Sequence, residues 1–134
     1  MTDPATPAVS FSFSFFKINV ADLDAAVRFY TEVFGFSVTD TVSLPELEER
    51  MLVMPGAKFT LVLLQWQDGR AITVGNGFGP AGFLTRDVDA AYGRALAHGA
   101  SAHRPPTGMG PMRVAFVLDP EGHEIEMIQY RRAA

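Results

Sequence analysis

The sequence predicts an α+β fold of two tandem βαβββ modules forming an incurved mixed sheet. Three observations carry this. Asp22-Leu23-Asp24-Ala25-Ala26 recurs as Asp87-Val88-Asp89-Ala90-Ala91 about half a chain length later. Each copy opens a helical pattern that runs into a glycine, Gly35 and then Gly99. Each helix is preceded by one short apolar segment and followed by three, the spacing of one supersecondary unit used twice.

Phe11-Ser12-Phe13-Ser14-Phe15 alternates with period two, and the pattern continues through Val20, as in a half-buried strand. Asp22 is a good N-cap, and Leu23, Ala26, Phe29, Tyr30 and Val33 make the apolar stripe of the helix behind it. Residues 36–42 read as a second strand, Leu44-Pro45-Glu46 as a turn, and 50–54 as a third strand. After the Pro55-Gly56 turn, 59–66 is the fourth and most apolar strand. Gln67 to Gly79 is polar and glycine-rich, a linker between halves. The second half follows the same order: a strand over 81–86, a helix capped by Asp87, and a short strand over 101–103. A hairpin over 112–118 and 124–130 then closes around Asp119-Pro120-Glu121-Gly122. Arg104 to Pro111 holds three prolines and two glycines and reads as an irregular surface loop; an adaptable lid of Met109 and Met112 beside it is one of the weaker candidate features. The organisation is thus a loose tail over 1–9, a first module over 10–66, a linker over 67–79 and a second module over 80–131.

Composition narrows the function. The formal charge is −4 in 134 residues, with no basic cluster beyond Arg131-Arg132, which argues against nucleic acid or an anionic membrane as partner. The absence of cysteine removes disulfides, zinc thiolates and thiol nucleophiles. No apolar run reaches the roughly 18 residues of a membrane span. Met1 to Ser10 carries two prolines and no basic segment, unlike a secretory signal, so the expected location is the cytoplasm.

Three separated motifs carry a resemblance. They are Val20-Ala21-Asp22-Leu23 with Phe29-Tyr30 and Phe34-Gly35-Phe36, then Phe83-Leu84-Thr85-Arg86-Asp87-Val88-Asp89, and last Ala115 to Gly122. Over roughly residues 11–131 the chain resembles the vicinal oxygen chelate superfamily: glyoxalase I, bleomycin-resistance proteins, fosfomycin-resistance enzymes and extradiol dioxygenases. The resemblance implies two tandem modules, commonly paired as homodimers. It leaves chemistry open, because the superfamily includes lyases, transferases, dioxygenases and binders without catalysis. In its metal-using members four ligands project from the first and fourth strand of each half. Those positions correspond here to Phe15, Val62, Pro80 and Glu126. Only Glu126 offers a donor, so no metal and no cofactor are expected.

Strand alternation then sets the rest of the lining. If Phe15 points into the cavity, so do Lys17 and Asn19. Thr60 and Leu64 follow Val62, while Gly82 and Leu84 follow Pro80. Val114 and Phe116 join Glu124, Glu126 and Ile128 from the hairpin. An apolar pocket with Lys17, Asn19, Thr60 and Glu126 as its polar groups is the usual make-up of a small-molecule site. Lys17 is placed to neutralise Glu126. That pair is either a tuned base or ligand acceptor, or a structural ion pair with Lys17 reaching to the rim. Four functions remain open. The first is a metal-free binder that sequesters a small, partly apolar organic molecule. The second is a metal-independent isomerase or lyase with Glu126 as proton-transfer base. A metal-dependent glyoxalase-type lyase and a partner-binding module are the other two. A homodimer is expected. His98, His103 and His123 are expected to face solvent, and Glu46, Glu48, Glu49 and Arg50 to form a solvated charge run.

Overall fold

The computed structural model describes residues 8–131. Positions 1–7 of the expected tail, and Arg132, lie outside the described residues, and 8–14 run without regular secondary structure. In chain order the elements are β1 (Phe15–Asn19), α1 (Leu23–Phe34), β2 (Ser37–Ser43), β3 (Leu47–Val53) and β4 (Thr60–Trp66), then β5 (Ala81–Leu84), α2 (Val88–Ala97), β6 (Ser101–Met109), β7 (Met112–Leu118) and β8 (Glu124–Tyr130). They form two four-stranded sheets, ordered β1-β4-β3-β2 and β5-β8-β7-β6. In each, the first strand pairs parallel to the last and the other pairings are antiparallel. The βαβββ unit is therefore used twice.

The duplication extends to individual hydrogen bonds. Asp22 Oδ1 accepts from the Ala25 amide and Asp87 Oδ1 from the Ala90 amide, both at 3.0 Å. Gln65, on the last strand of the first module, accepts from the Leu23 amide at 2.7 Å. Gln129, its counterpart on β8, accepts from the Val88 amide at 2.8 Å. Each helix thus starts on a side-chain cap plus a glutamine of its own sheet, satisfying amides that no helical carbonyl can reach. Gly35 ends α1 at φ 79°, a left-handed conformation that glycine adopts without steric penalty.

The core lies between each sheet and its helix and runs on across the two modules. Leu23, Ala26, Phe29 and Tyr30 of α1 meet Leu52 and Leu63. Val88 and Ala95 of α2 meet Ala115, Val117, Ile125 and Met127. Phe34 stacks on Phe83 at 4.0 Å and closes the seam.

Three boundaries differ from the sequence reading by three residues or more. The first strand starts at Phe15, not Phe11, because β4 begins at Thr60 and nothing remains upstream to pair with; Phe11 and Phe13 are exposed. β3 begins at Leu47 rather than Arg50. The expected loop at Arg104 is strand: β6 continues to Met109, and Met109 pairs with Met112 at the hairpin end, so the two methionines are not a lid. Pro105 and Pro106 are tolerated because β6 is an edge strand and the ladder is interrupted between Arg104 and Thr107.

Candidate functional site

Register decides which side chains share a face. In the first sheet Phe15 pairs with Thr60, Lys17 with Val62 and Asn19 with Leu64, while Met51 pairs with Val62 and Glu49 with Leu64. Ile18, Leu61, Leu63 and Leu52 belong to the core. Phe15, Lys17, Asn19, Thr60 and Val62 therefore lie together on the face away from the helix. In the second sheet Gly82 and Phe116 both pair with Glu126, and Val114 pairs with Ile128. Val114, Phe116 and Glu126 share the helix-distal face there, and Pro80 lies one residue before β5. These two groups stay apart within the chain. Among the described residues no strand of one sheet lies alongside a strand of the other; the modules meet through α1 and α2, the Phe34–Phe83 stack and the turn after β7.

The partner of Lys17 is Glu49, not Glu126. Nζ lies 2.6 Å from Glu49 Oε2, and the glutamate is only 5% exposed. Glu49 is therefore no member of a solvated charge run. With β3 starting at Leu47, alternation carries Glu49 and Met51 onto the same face as Val62 and Leu64. The earlier strand start was the missed signal: Leu47, Glu49 and Met51 already alternate in the sequence. Glu49 Oε2 has no hydrogen-bond partner among the described residues, so the Lys17 charge is its one compensation. Lys17 is half-exposed, and its Nζ stands 5.7 Å from the centre of the Phe15 ring. Val62 and Leu64 are buried beside the pair without belonging to the core cluster.

On the second sheet His103 Nε2 lies 3.2 Å from Glu124 Oε2, and the Arg104 guanidinium stands 6.0 Å from the Phe116 ring. His103 remains part-exposed, and His98 bonds the Arg94 carbonyl at 2.8 Å. His123 does not face solvent. Its Nδ1 lies 2.8 Å from Asp119 Oδ2, and that carboxylate also accepts from Tyr30 Oη at 2.8 Å. Asp119 Oδ1 accepts the Glu121 and His123 amides, each at 2.9 Å. Glu121 completes the clasp by accepting the Ala21 and Asp22 amides at 2.6 and 2.9 Å. The Asp119-Pro120-Glu121-Gly122 turn of one module thus grips α1 of the other.

Burial pushes the Asp119 carboxyl up, but the hydrogen bond and charge of His123, with the Tyr30 hydroxyl, outweigh it and leave it below its ordinary 3.8. The Asp119 hydrogen bond raises His123 above its ordinary 6.5 against the opposing effect of burial, with the charges of Asp119 and Glu121 adding to the rise. Burial, then the Asp119 charge, raises Tyr30 well above 10.0. The lowered Asp119 contributes stability that is complete above 3.8 and lost as pH falls through its lowered value. The raised His123 contributes stability that is complete below 6.5 and lost as pH rises through its raised value. The clasp is therefore strongest between these limits. Urea titrations should show a stability decline above pH 6.5 that His123→Gln lacks; an unchanged slope in that variant would remove His123 from the account.

Two shallow clefts of about 420 and 440 Å³ flank Gln65. They lie at the N-terminus of α1, where Glu121, Asp22 and Gln65 already satisfy the amides, and Arg70 stacks on Trp66 at 3.9 Å. Neither holds the Lys17–Glu49 pair.

The donor set at the four positions implied by the resemblance does not fit a divalent cation. Phe15, Val62 and Pro80 present carbon only, and one carboxylate from Glu126 cannot complete a coordination sphere. Among the described residues no three His, Asp or Glu side chains converge as metal ligands.

Known proteins agree on the fold and the family. The model of the Glyoxalase/Bleomycin resistance protein/Dioxygenase superfamily matches residues 12–127. The chain is 33% identical over 119 residues to a lactoylglutathione lyase of Arabidopsis thaliana, covering 82% of this chain but 41% of that protein. It is 29% identical over 123 residues to a probable lactoylglutathione lyase of Vibrio parahaemolyticus, covering 87% of this chain and 89% of that one. The crystal structure of glyoxalase I from Zea mays superposes with a TM-score of 0.80 at 25% identity, covering 90% of this chain and 45% of that one. The chain thus spans about two fifths of its plant relative and nearly all of the bacterial one. Two βαβββ modules, the matched family model and these relatives together make the chain a member of the Glyoxalase/Bleomycin resistance protein/Dioxygenase superfamily.

Proposed function

We propose that this chain binds a small, partly apolar organic molecule on the helix-distal faces of its sheets without a divalent metal. The observation that carries this reading is the donor set: carbon side chains stand at three of the four positions where metal-using relatives place ligands. In their place the helix-distal face of the first sheet presents the half-exposed Phe15 ring beside the Lys17–Glu49 pair, with Val62 and Leu64 buried next to the pair. A homodimer is part of this reading: a second copy of the chain would cover the side chains these faces leave exposed, such as Phe15. The cytoplasm remains the expected location, and neither nucleic acid nor a membrane the expected partner; no helix among the described residues is long and apolar enough to cross one.

The names of the relatives favour a second reading, a lyase acting on lactoylglutathione. On that reading Glu126, part-buried between Gly82 and Phe116, is the proton-transfer base. Elemental analysis, thermal shift with Ni²⁺, Zn²⁺, Mn²⁺ and Fe²⁺, and a lactoylglutathione turnover assay separate the two. Metal-free protein, no shift and no turnover support the binder. Stoichiometric metal, a shift to higher melting temperature and turnover overturn it. Metal-free turnover abolished by Glu126→Gln selects the proton-transfer lyase.

A further inference from the structure

An open strand edge exposes unpaired backbone groups, and prolines, charges or bulges normally blunt it. Among the described residues the sheets have four such edges: β1 and β2 in the first, β5 and β6 in the second. Two are blunted. β2 carries Asp40 with a register shift beside it, and β6 carries Pro105, Pro106 and two register shifts. β1 and β5 have neither proline nor bulge, and β5 has no charge. Lys17 is the one charge on β1, and its ammonium is drawn away from the edge, across β4, to Glu49 on β3. The Val20 amide donates to the Leu64 carbonyl and the Thr60 amide to that of Ser14, so the even-numbered residues of β1 face β4. The amides of Phe15 and Lys17 therefore point to the open side, where no strand among the described residues receives them.

Phenylalanines gather along the β1 edge. Phe13 packs on Phe59 at 4.9 Å and Phe16 meets Phe78 at 5.7 Å, yet Phe78 is 79% exposed and Phe11 93%. Phe78 lies three residues before β5, so its contact with Phe16 brings the approach to the second unguarded edge beside the first. At ~200 Å² per aromatic residue, the exposed parts of Phe11, Phe13, Phe15, Phe16, Phe59 and Phe78 come to about 750 Å². That exceeds the roughly 300–600 Å² of the largest apolar patch on an ordinary monomer. It matches the roughly 800 Å² that one partner gives to a standard interface. We infer that a second copy of this chain docks on the β1 edge, strand to strand, with these phenylalanines packed around the seam. A two-fold contact sets a patch against itself, which suits an apolar surface and penalises a charged one. It also closes: the edge of each copy is covered by the other, and assembly stops at two. The inference rests on the homodimer in the reading above and adds the surface that forms it.

The test is sedimentation equilibrium of the full chain across roughly a hundredfold range of concentration. The unaltered protein should show the mass of two chains. Phe11→Ser/Phe13→Ser/Phe78→Ser changes residues outside the core and should raise the dimer dissociation constant about a hundredfold or more. Val38→Ser, on the blunted β2 edge, should leave it within about twofold. Amide exchange gives a readout that needs no variant: the Phe15 and Lys17 amides should exchange about tenfold more slowly in the dimer than after dilution to monomer. A monomer throughout, or masses that climb past two chains, overturns the inference and takes the homodimer with it; metal-free binding is judged separately by the metal and turnover assays. A dimer whose dissociation constant is unchanged in the triple variant, or whose Phe15 and Lys17 amides exchange freely, overturns the surface and leaves the homodimer standing.

Discussion

Asp119→Ala is expected to lower the unfolding free energy by about 3–5 kcal/mol, the usual cost of breaking a buried charged network by removing one member. Asp119 is 3% exposed and serves four donors: the Tyr30 hydroxyl, the His123 ring and the amides of Glu121 and His123. Alanine leaves each of these without its acceptor. It also removes a contact between modules, because Tyr30 belongs to α1 and Asp119 to the turn after β7. For a chain of this size the melting temperature should fall on the order of 10–20 °C. Tyr30→Phe is the control. It removes one hydroxyl and keeps the ring that packs on Phe29, Phe34 and Phe36, so its cost should be about 1–2 kcal/mol. Urea denaturation of both variants checks this. An Asp119→Ala cost no larger than that of Tyr30→Phe would mean the carboxylate is not the centre of the clasp.

The second large effect is at the ion pair. Lys17→Met should destabilise by about 2–4 kcal/mol, since Glu49 then stays buried with no countercharge. The lower part of that range reflects the solvent access of Lys17, which screens the pair. Replacing both residues, as Lys17→Met/Glu49→Leu, should bring stability back to within about 1 kcal/mol of the parent, because the cost lies in stranding a charge rather than in losing a bond. With Glu49→Leu as the second single substitution, the variants form a double-mutant cycle. Additive losses across it would show that the two side chains do not depend on each other.

The local elements were legible in the sequence for local reasons. Asp22 and Asp87 announce helix starts because a short side chain that accepts from the third residue on is what a helix N-terminus requires. The hairpin of β7 and β8 was bounded correctly by its Asp-Pro-Glu-Gly turn, and the duplication showed in the repeated pentapeptide. From these, with the resemblance they carry, the fold class follows. The face shared by Phe15, Lys17, Asn19, Thr60 and Val62 was legible as well, because the resemblance placed Phe15 and Val62 and period-two alternation carried the placement to their neighbours.

What depends on long-range partners was decided by the tertiary structure. Whether Phe11 and Phe13 join a strand turns on where β4 begins, which no property of the Phe-Ser alternation contains. Pro105 and Pro106 look like loop residues until β6 is seen to lie at a sheet edge. The partner of Lys17 lies on β3, separated from β1 by β4. Glu126 had the better claim from the motif, yet it sits on the other sheet. The resemblance spoke for the placement of Glu126 but was silent on Glu49, because a side chain's charge partner is set by strand order across a sheet and not by distance along the chain. The same holds for Asp119. Its turn could be read as a turn, but its grip on Tyr30 exists only once two modules have packed and a buried carboxylate has found its donors.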